Sequence, residues 1–271
     1  MSGDFLFENA PLVEVIAEVH WELKALGTNP GAKIDPYYDL FQETFLSELA
    51  AQGLGHRQEL IPSMVPKELV GGQPHLRIRN SQNSWPLTQI GPGLLTANIV
   101  PPYKGWTEFQ PFLNLVIEKL KVCYPLADKT LKIRKLHLRY IDAFGENFGM
   151  QNFSEFATNV LGINAPISTD FMKNQTIDPA SVSFVSDVNF INQSPSNSTG
   201  GFKLAPGTSN GRNAAILEHR CDTEFADPVL IDPAFILNWF NEAHETMRNQ
   251  FLELSKNGLI DLMGKQIPLE N

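Results

Sequence analysis

Residues 12–23, LVEVIAEVHWEL, form the stretch of sequence that decides the predicted fold. Apolar side chains occupy every second position, namely Val13, Val15, Ala17, Val19 and Trp21. The positions between them are mostly charged and comprise Glu14, Ile16, Glu18, His20 and Glu22. Because successive side chains of a β-strand point to opposite faces, this alternation predicts a strand with one buried face and one polar face.

Helical and extended segments follow this strand in a regular order. Helices are predicted over 37–52, where Asp35 and Pro36 form the N-cap and first turn, over 107–124, over 152–161 and from 232 to about 255. Strands are predicted over 56–61, 75–80, 85–90, 94–100, 131–144, 181–191, 202–204 and 214–221. Gly91-Pro92-Gly93 predicts a hairpin turn, and 194–201 predicts a flexible loop.

The order of elements repeats once along the chain. Residues 1–128 and residues 129–271 each run strand, helix, several strands and long helix, so each is predicted to be one half of an internal duplication. The predicted fold class is α+β, with one large, curved antiparallel sheet shared by both halves and long helices packed on one face. A TATA-binding-protein-like saddle has this order of elements, which is an analogy of fold and carries no function.

Several short motifs together resemble a known family. They are PLVEVIAEVHWE near the start, LTQIGPGLLTANIV followed by YKGWTEF, LHLRYID, and LNWFNEAHETMRNQFLEL in the last long helix. Their order is similar to that in a sporadically distributed family of bacterial proteins of unknown function. The resemblance covers most of the chain except 152–213. It implies a cytoplasmic bacterial or phage-related protein, and it supplies no active-site residue.

Composition and charge exclude several classes of protein. The 271 residues carry 21 Lys and Arg against 30 Asp and Glu, and the formal net charge is −9. A net negative charge argues against broad binding to nucleic acid, which depends on neutralising phosphates. No apolar run reaches the length of a membrane span, and the acidic N-terminus is unlike a signal peptide. Cys123 and Cys221 are the only cysteines, which favours a reducing cytoplasm over a disulfide framework.

Motifs for cofactors and catalysis are missing from the sequence. It contains no phosphate-binding P-loop, no dinucleotide-binding glycine motif before a helix and no nucleophile elbow. His244-Glu245 begins like a zinc-protease motif, but Arg248 and Asn249 stand where the second histidine is needed. We therefore expect neither a cofactor nor a metal.

Polar side chains on three predicted strands form the candidate binding face. They are Glu14, Glu18, His20, Lys135, His137, Arg139, Glu218 and Arg220. If the two halves are related, the strands 12–23 and 131–144 are neighbours at the sheet centre. The carboxylates of the first strand are then expected to pair with the basic side chains of the second, each pair contributing about 0.2–1 kcal/mol.

Three functions are compatible with this face. The first is a non-enzymatic interaction protein that engages a protein partner or a second copy of itself. The second is a nucleic-acid or nucleotide-binding module that uses Lys135, Arg139, Arg77, Arg79 and Arg220. The third is an enzyme with acid–base groups among His20, Glu18 and His137. Full pairing of the charges would remove the site that the second and third hypotheses need.

Overall fold

The computed structural model describes residues 5–27, 29–62, 64–66, 69–165, 167–178 and 181–268. Its strands are β1 (Phe5–Phe7), β2 (Leu12–Trp21), β3 (Lys24–Leu26), β4 (Asn29–Ile34), β5 (His56–Glu59), β6 (Leu76–Arg79), β7 (Leu87–Gly91), β8 (Leu94–Ile99), β9 (Lys132–Phe144), β10 (Ser186–Ile191), β11 (Thr199–Ser209), β12 (Arg212–Leu230) and β13 (Gln266–Pro268). Its helices are α1 (Tyr38–Ala51), α2 (Trp106–Cys123), α3 (Ala127–Thr130), α4 (Phe153–Asn159), α5 (Thr169–Asn174), α6 (Pro233–Ser255) and α7 (Leu259–Met263).

A nine-stranded antiparallel sheet dominates the structure. Its strand order is β10-β11-β12-β9-β2-β8-β7-β6-β5, and β1 with β13 and β3 with β4 form two small sheets. The predicted α+β class is therefore confirmed, and β2 and β9 are neighbours as the sequence predicted. None of the described helices is long and apolar enough to cross a membrane.

Both halves of the sequence contribute strands to this sheet. The first half supplies β2-β8-β7-β6-β5, and the second supplies β9-β12-β11-β10, each order running outward from the centre. Each half also continues from its last strand of the sheet into a long helix, α2 or α6. The internal duplication and the saddle-like arrangement remain predictions.

Two compact units share the chain. Unit 1 comprises the described residues among 1–14, 139–221 and 243–271, and unit 2 comprises those among 15–138 and 222–242. Strands β2, β9 and β12 and helix α6 each contribute residues to both units.

The core of unit 2 forms on the apolar face of β2. Val15, Ala17 and Val19 are fully buried, as their alternation predicted. The Trp21 ring packs edge-on against Phe41 of α1, with ring centroids 6.0 Å apart. In unit 2, α1 thus packs on the apolar face of β2, and Glu18 and His20 lie on the opposite face.

The core of unit 1 is rich in phenylalanine. Phe144 at the end of β9 contacts Phe148 and Phe156, with ring centroids 5.4 Å away in each case. Leu217 of β12 and Met263 of α7 complete this cluster and are fully buried. The helices α4 and α7 therefore contribute side chains to the core at the C-terminal end of β9.

Three local predictions are wrong. Asp35 does not cap α1, because the N-cap residue is Tyr37, and Asp35 instead accepts a hydrogen bond from the Tyr37 N–H. The predicted loop 194–201 ends in strand β11, which begins at Thr199. Strand β12 continues past Cys221 to Leu230, although Pro228 disfavours strand structure.

The hairpin turn predicted at Gly91-Pro92-Gly93 is confirmed. It joins β7 to β8, and Gly91 lies opposite Leu94. Gly93 has a φ of +79°, and a Cβ atom there would lie 2.8 Å from Cγ of Leu23. Only glycine combines this backbone conformation with so close a neighbour.

Candidate functional site

The eight predicted site residues lie on three neighbouring strands of the sheet. Glu14, Glu18 and His20 are on β2, Lys135, His137 and Arg139 are on β9, and Glu218 and Arg220 are on β12. Unit 2 contains Glu18, His20, Lys135 and His137, and unit 1 contains Glu14, Arg139, Glu218 and Arg220.

In unit 2 the basic side chains of β9 converge on Asp222 of β12. The Lys135 Nζ atom lies 2.6 Å from the Asp222 carboxylate, and the His137 Nδ1 atom binds the same oxygen. Burial alone would raise the pKa of Asp222, but the contacts with His137 and Lys135 outweigh it and lower the pKa to about 2. The carboxylate therefore stays charged at neutral pH and holds both basic groups in place.

The Glu18 and His20 side chains of unit 2 bind each other. The His20 Nε2 atom lies 2.7 Å from the Glu18 carboxylate, and the two side chains are 25% and 19% exposed. Residues i and i+2 share one face of a strand, which is why this contact forms along β2. A carboxylate bound to imidazole orients a histidine, but this contact contains no nucleophile.

In unit 1 the basic side chains also have acidic partners. The Arg139 Nη1 atom lies 3.6 Å from the Glu218 carboxylate. A positive side chain of β9 is thus paired with a negative side chain of β12. Arg220 Nη2 donates at 2.6 Å to both Asp187 and Asn189 of β10. The hydrogen bond from Arg220 lowers the pKa of Asp187.

These contacts add acidic partners that the sequence did not predict. Lys135 contacts the carboxylate of Asp222 and Arg139 contacts the carboxylate of Glu218, and both carboxylates lie on β12, which flanks β9 on the side away from β2. The pairing of β9 with the carboxylates of β2 stays a prediction. Asp222 was missed because the predicted strand stopped one residue earlier, although it follows Glu218 and Arg220 at the same two-residue spacing.

The other face of β12 carries a buried polar network in unit 1. The His219 Nε2 atom lies 2.9 Å from the Gln250 carboxamide oxygen, and Gln250 donates to Asn192 at 3.0 Å. Asn192 in turn donates to Ser198 at 3.1 Å and to the Cys221 sulfur at 3.4 Å. Burial lowers the pKa of His219 to about 4, so this imidazole is neutral at physiological pH. The network is buried, and we interpret it as structural.

A cleft of about 640 Å³ lies in unit 1 at one end of the sheet. It is lined by the ends of β2, β9, β11 and β12 and by the segments next to them, including Asn147, Asn210 and Asn213. The ion pair between Arg212 and Glu146, whose atoms are 3.4 Å apart, also lines it. None of the eight predicted site residues lines this cleft.

Metal ligands are not assembled in the part of the chain that the structure describes. No group of three or more His, Cys, Asp or Glu side chains there is placed to hold a metal ion. The described contacts of the candidate face are ion pairs and hydrogen bonds.

Asp222→Asn is expected to lower the free energy of unfolding at pH 7 by about 2 kcal/mol, since the pKa of Asp222 is about two units below that of an unfolded aspartate. A group with a depressed pKa stabilises the fold above the unfolded pKa, near 4, and loses this effect as the pH falls to about 2. Urea unfolding at pH 7 and pH 2.5 measures both values, and the difference between the variant and the native chain is expected to shrink at the lower pH.

Glu224→Gln is the matched control for this prediction. Glu224 also pairs across the same two strands, but it and Arg134 are 61% and 55% exposed. Exposed pairs contribute little, so the change is expected to cost less than about 0.5 kcal/mol. Equal costs for the two substitutions would contradict the role given to Asp222.

A comparison of the chain with protein-family models, with curated proteins and with solved structures finds no match. The resemblance to a bacterial family of unknown function therefore stays a prediction.

Proposed function

We propose that this chain is a non-enzymatic interaction protein that associates with a second copy of itself through strand β10. The pairing of charges on the candidate face favours an interaction protein over an enzyme or a nucleic-acid-binding module that would use this face. Lys135, Arg139 and Arg220 each contact a carboxylate, which offsets their attraction for phosphate. His20 and His137 are likewise held by carboxylates.

Strand β10 is an edge strand with unused backbone groups. Among the strands that the structure describes, it is the last of the sheet and pairs with β11 alone, in a register that places Val188 opposite Phe202. The Asn192 N–H donates to the Ser198 carbonyl in continuation of this register. Because hydrogen-bonded pairs alternate along an antiparallel ladder, Asp187, Asn189 and Ile191 direct their N–H and C=O groups toward the open edge.

The side chains of β10 are compatible with the pairing of another strand along its open edge. Val185, just before the strand, is 60% exposed, and Val188 and Ile191 are 50% and 83% exposed. Asp187 is the only charged residue in β10. By contrast β5, at the other end of the sheet, has four residues, HRQE, of which two are charged. Natural edge strands avoid aggregation by charge and shortness, so β5 is protected and β10 is open to another strand.

The β10 sequence is complementary to itself in one antiparallel register. A twofold axis perpendicular to the sheet at Val188 places Asp187 opposite Asn189 of the second copy and Val185 opposite Ile191. Both pairs lie on one face and join residues whose backbone groups point outward, so they are hydrogen-bonded pairs. On this face each aliphatic side chain then meets another and each polar one meets a polar one. On the other face Val188 meets its own copy and Ser186 lies opposite Phe190.

Light scattering of the purified chain at about 100 µM tests the proposal. The expected mass is twice the 30.3 kDa of one chain. Asn189→Pro removes one outward N–H and is expected to give a monomer, since proline is tolerated on an edge strand and the bonds to β11 do not use this group. Val122→Lys, at a 70% exposed aliphatic residue of α2, is the control and should remain dimeric.

A charge pair tests the register. Val185→Glu and Ile191→Lys are each expected to weaken the dimer at least about tenfold, because each buries a lone charge at the edge. The double variant places the new carboxylate of each copy opposite the new ammonium group of the other, so it is expected to recover dimerisation. A native chain that stays monomeric at about 100 µM, or a dimer that survives Asn189→Pro, would overturn the proposal.

A further inference from the structure

Two arginine side chains in unit 2 converge on one neutral oxygen. Arg77 and Arg79 lie two residues apart on β6, and therefore on one face, and Gln58 of β5 lies opposite Arg77. The Gln58 Oε1 atom accepts from Arg77 Nη1 at 3.5 Å and from Arg79 Nη2 at 3.0 Å. Two positive guanidinium groups are thus brought together around an amide, which carries no charge to offset theirs.

The immediate surroundings of this pair contain amides in place of carboxylates. With its amide oxygen turned toward β6, Gln89 of β7 accepts from Arg77 Nε at 3.2 Å and Nη2 at 3.3 Å. Within the described ranges, neither Arg77 nor Arg79 forms an ion pair with a carboxylate. Four other arginines do so, namely Arg134, Arg139, Arg212 and Arg220.

Arg79 is also buried and incompletely bonded. It is 6% exposed, and its Nε atom is buried with no hydrogen-bond partner among the described residues. A buried guanidinium without a counter-charge is costly, and a buried donor left unpaired adds to the cost. Gln58 itself is exposed, so an ion from solvent can reach the point where the two guanidinium groups meet.

We infer that Arg77 and Arg79 bind a phosphate group at the position now bridged by Gln58. Guanidinium groups form parallel, charge-assisted hydrogen bonds with oxyanions, and two of them match the double negative charge of phosphate. A phosphate has more acceptor oxygens than a carboxylate, so it can accept hydrogen bonds from both guanidinium groups at once. The net charge of −9 disfavours an extended nucleic acid and favours a small phosphorylated ligand or free phosphate.

Titration calorimetry with inorganic phosphate and with a nucleoside monophosphate tests this inference, both at constant ionic strength maintained with chloride. Binding of both ligands is expected, and tighter binding of the nucleotide would identify the phosphate as part of a larger ligand. Arg79→Gln is expected to weaken phosphate binding at least about tenfold. Arg134→Gln removes an exposed, already paired arginine and is expected to leave the affinity unchanged.

Gln58→Glu provides a test that needs no ligand. It places a carboxylate between the two guanidinium groups, so the variant is expected to melt at a higher temperature than the native chain and to lose its response to phosphate. No phosphate binding by the native chain, or equal binding by Arg79→Gln, would overturn the inference. So would a lower melting temperature for Gln58→Glu, and this result stands even if Arg79→Gln fails to fold.

Discussion

Asp142→Asn is expected to increase the free energy of unfolding at pH 8 by up to about 4 kcal/mol. Asp142 lies on β9 in unit 1 and is 5% exposed. Burial raises the pKa of its carboxyl group to about 7, which is about three units above that of an unfolded aspartate. The native chain must therefore hold a buried charge at pH 8, and asparagine removes that charge without changing the size of the side chain.

The sign of the pH dependence distinguishes this effect from loss of packing. Below about pH 4 the carboxyl group is protonated in both the folded and the unfolded chain, so it costs nothing. Between about pH 4 and 7 only the unfolded chain releases the proton, and stability falls as the pH rises. Urea unfolding of the native chain and the variant at pH 4, 6 and 8 should show a difference that grows with pH.

Asp128→Asn supplies the control for Asp142. The Asp128 side chain is 81% exposed and pairs with Lys121 at 3.3 Å. Its substitution is expected to change stability by less than about 0.5 kcal/mol at every pH. A stability gain for Asp142→Asn that is the same at pH 4 and pH 8 would show that ionisation is not its cause.

Asp35→Ala is expected to lower the free energy of unfolding by about 3–5 kcal/mol. The Asp35 carboxylate accepts from Trp21 Nε1 at 2.7 Å, from the Tyr124 hydroxyl at 2.7 Å and from the Tyr37 N–H at 3.0 Å. Trp21 and Tyr124 are 3% and 5% exposed, so alanine would leave two buried donors without an acceptor. Burial and the Asp35 charge both raise the pKa of Tyr124, which keeps its hydroxyl proton available for this bond.

Asp35→Asn is the informative comparison. It keeps one acceptor oxygen in the same place and should cost clearly less than alanine. Urea unfolding followed by tryptophan fluorescence measures both variants, and the emission of Trp21 is expected to change because its indole N–H loses its partner. Equal costs for alanine and asparagine would mean that the carboxylate does not serve as the acceptor that joins β2 to the start of α1.

The fold could be predicted from the sequence further than the site. The alternation in residues 12–23 predicted strand β2, which ends two residues earlier at Trp21. It also predicted the burial of Val15, Ala17 and Val19, whereas Val13 at the start of the strand is 38% exposed. The spacing of apolar residues in α2 acts in the same local way. Such patterns depend only on neighbours along the chain. They were sufficient to predict the α+β fold class and most of the helices and strands.

The site depends on which strands are neighbours, and the sequence does not carry that information locally. Lys135 and His137 were identified, but their partner Asp222 lies 85 residues beyond His137, on a strand whose continuation through Pro228 runs against strand preference. Asp35 was assigned to the wrong partner for a similar reason, since Asp-Pro before a helix is typical of a cap. Its bond to Tyr124 requires the tertiary structure.

The pairing of β1 with β13 determines when unit 1 can be finished during synthesis. Phe5 lies opposite Pro268, so the first described strand and the last one are partners. On the ribosome, residues 8–265 have to be synthesised after the Phe5–Phe7 segment before its partner strand appears. Unit 2, whose larger segment runs without interruption from 15 to 138, has most of its chain available long before then. Closure of unit 1 is therefore a late event, and contacts so distant along the chain are slow to form.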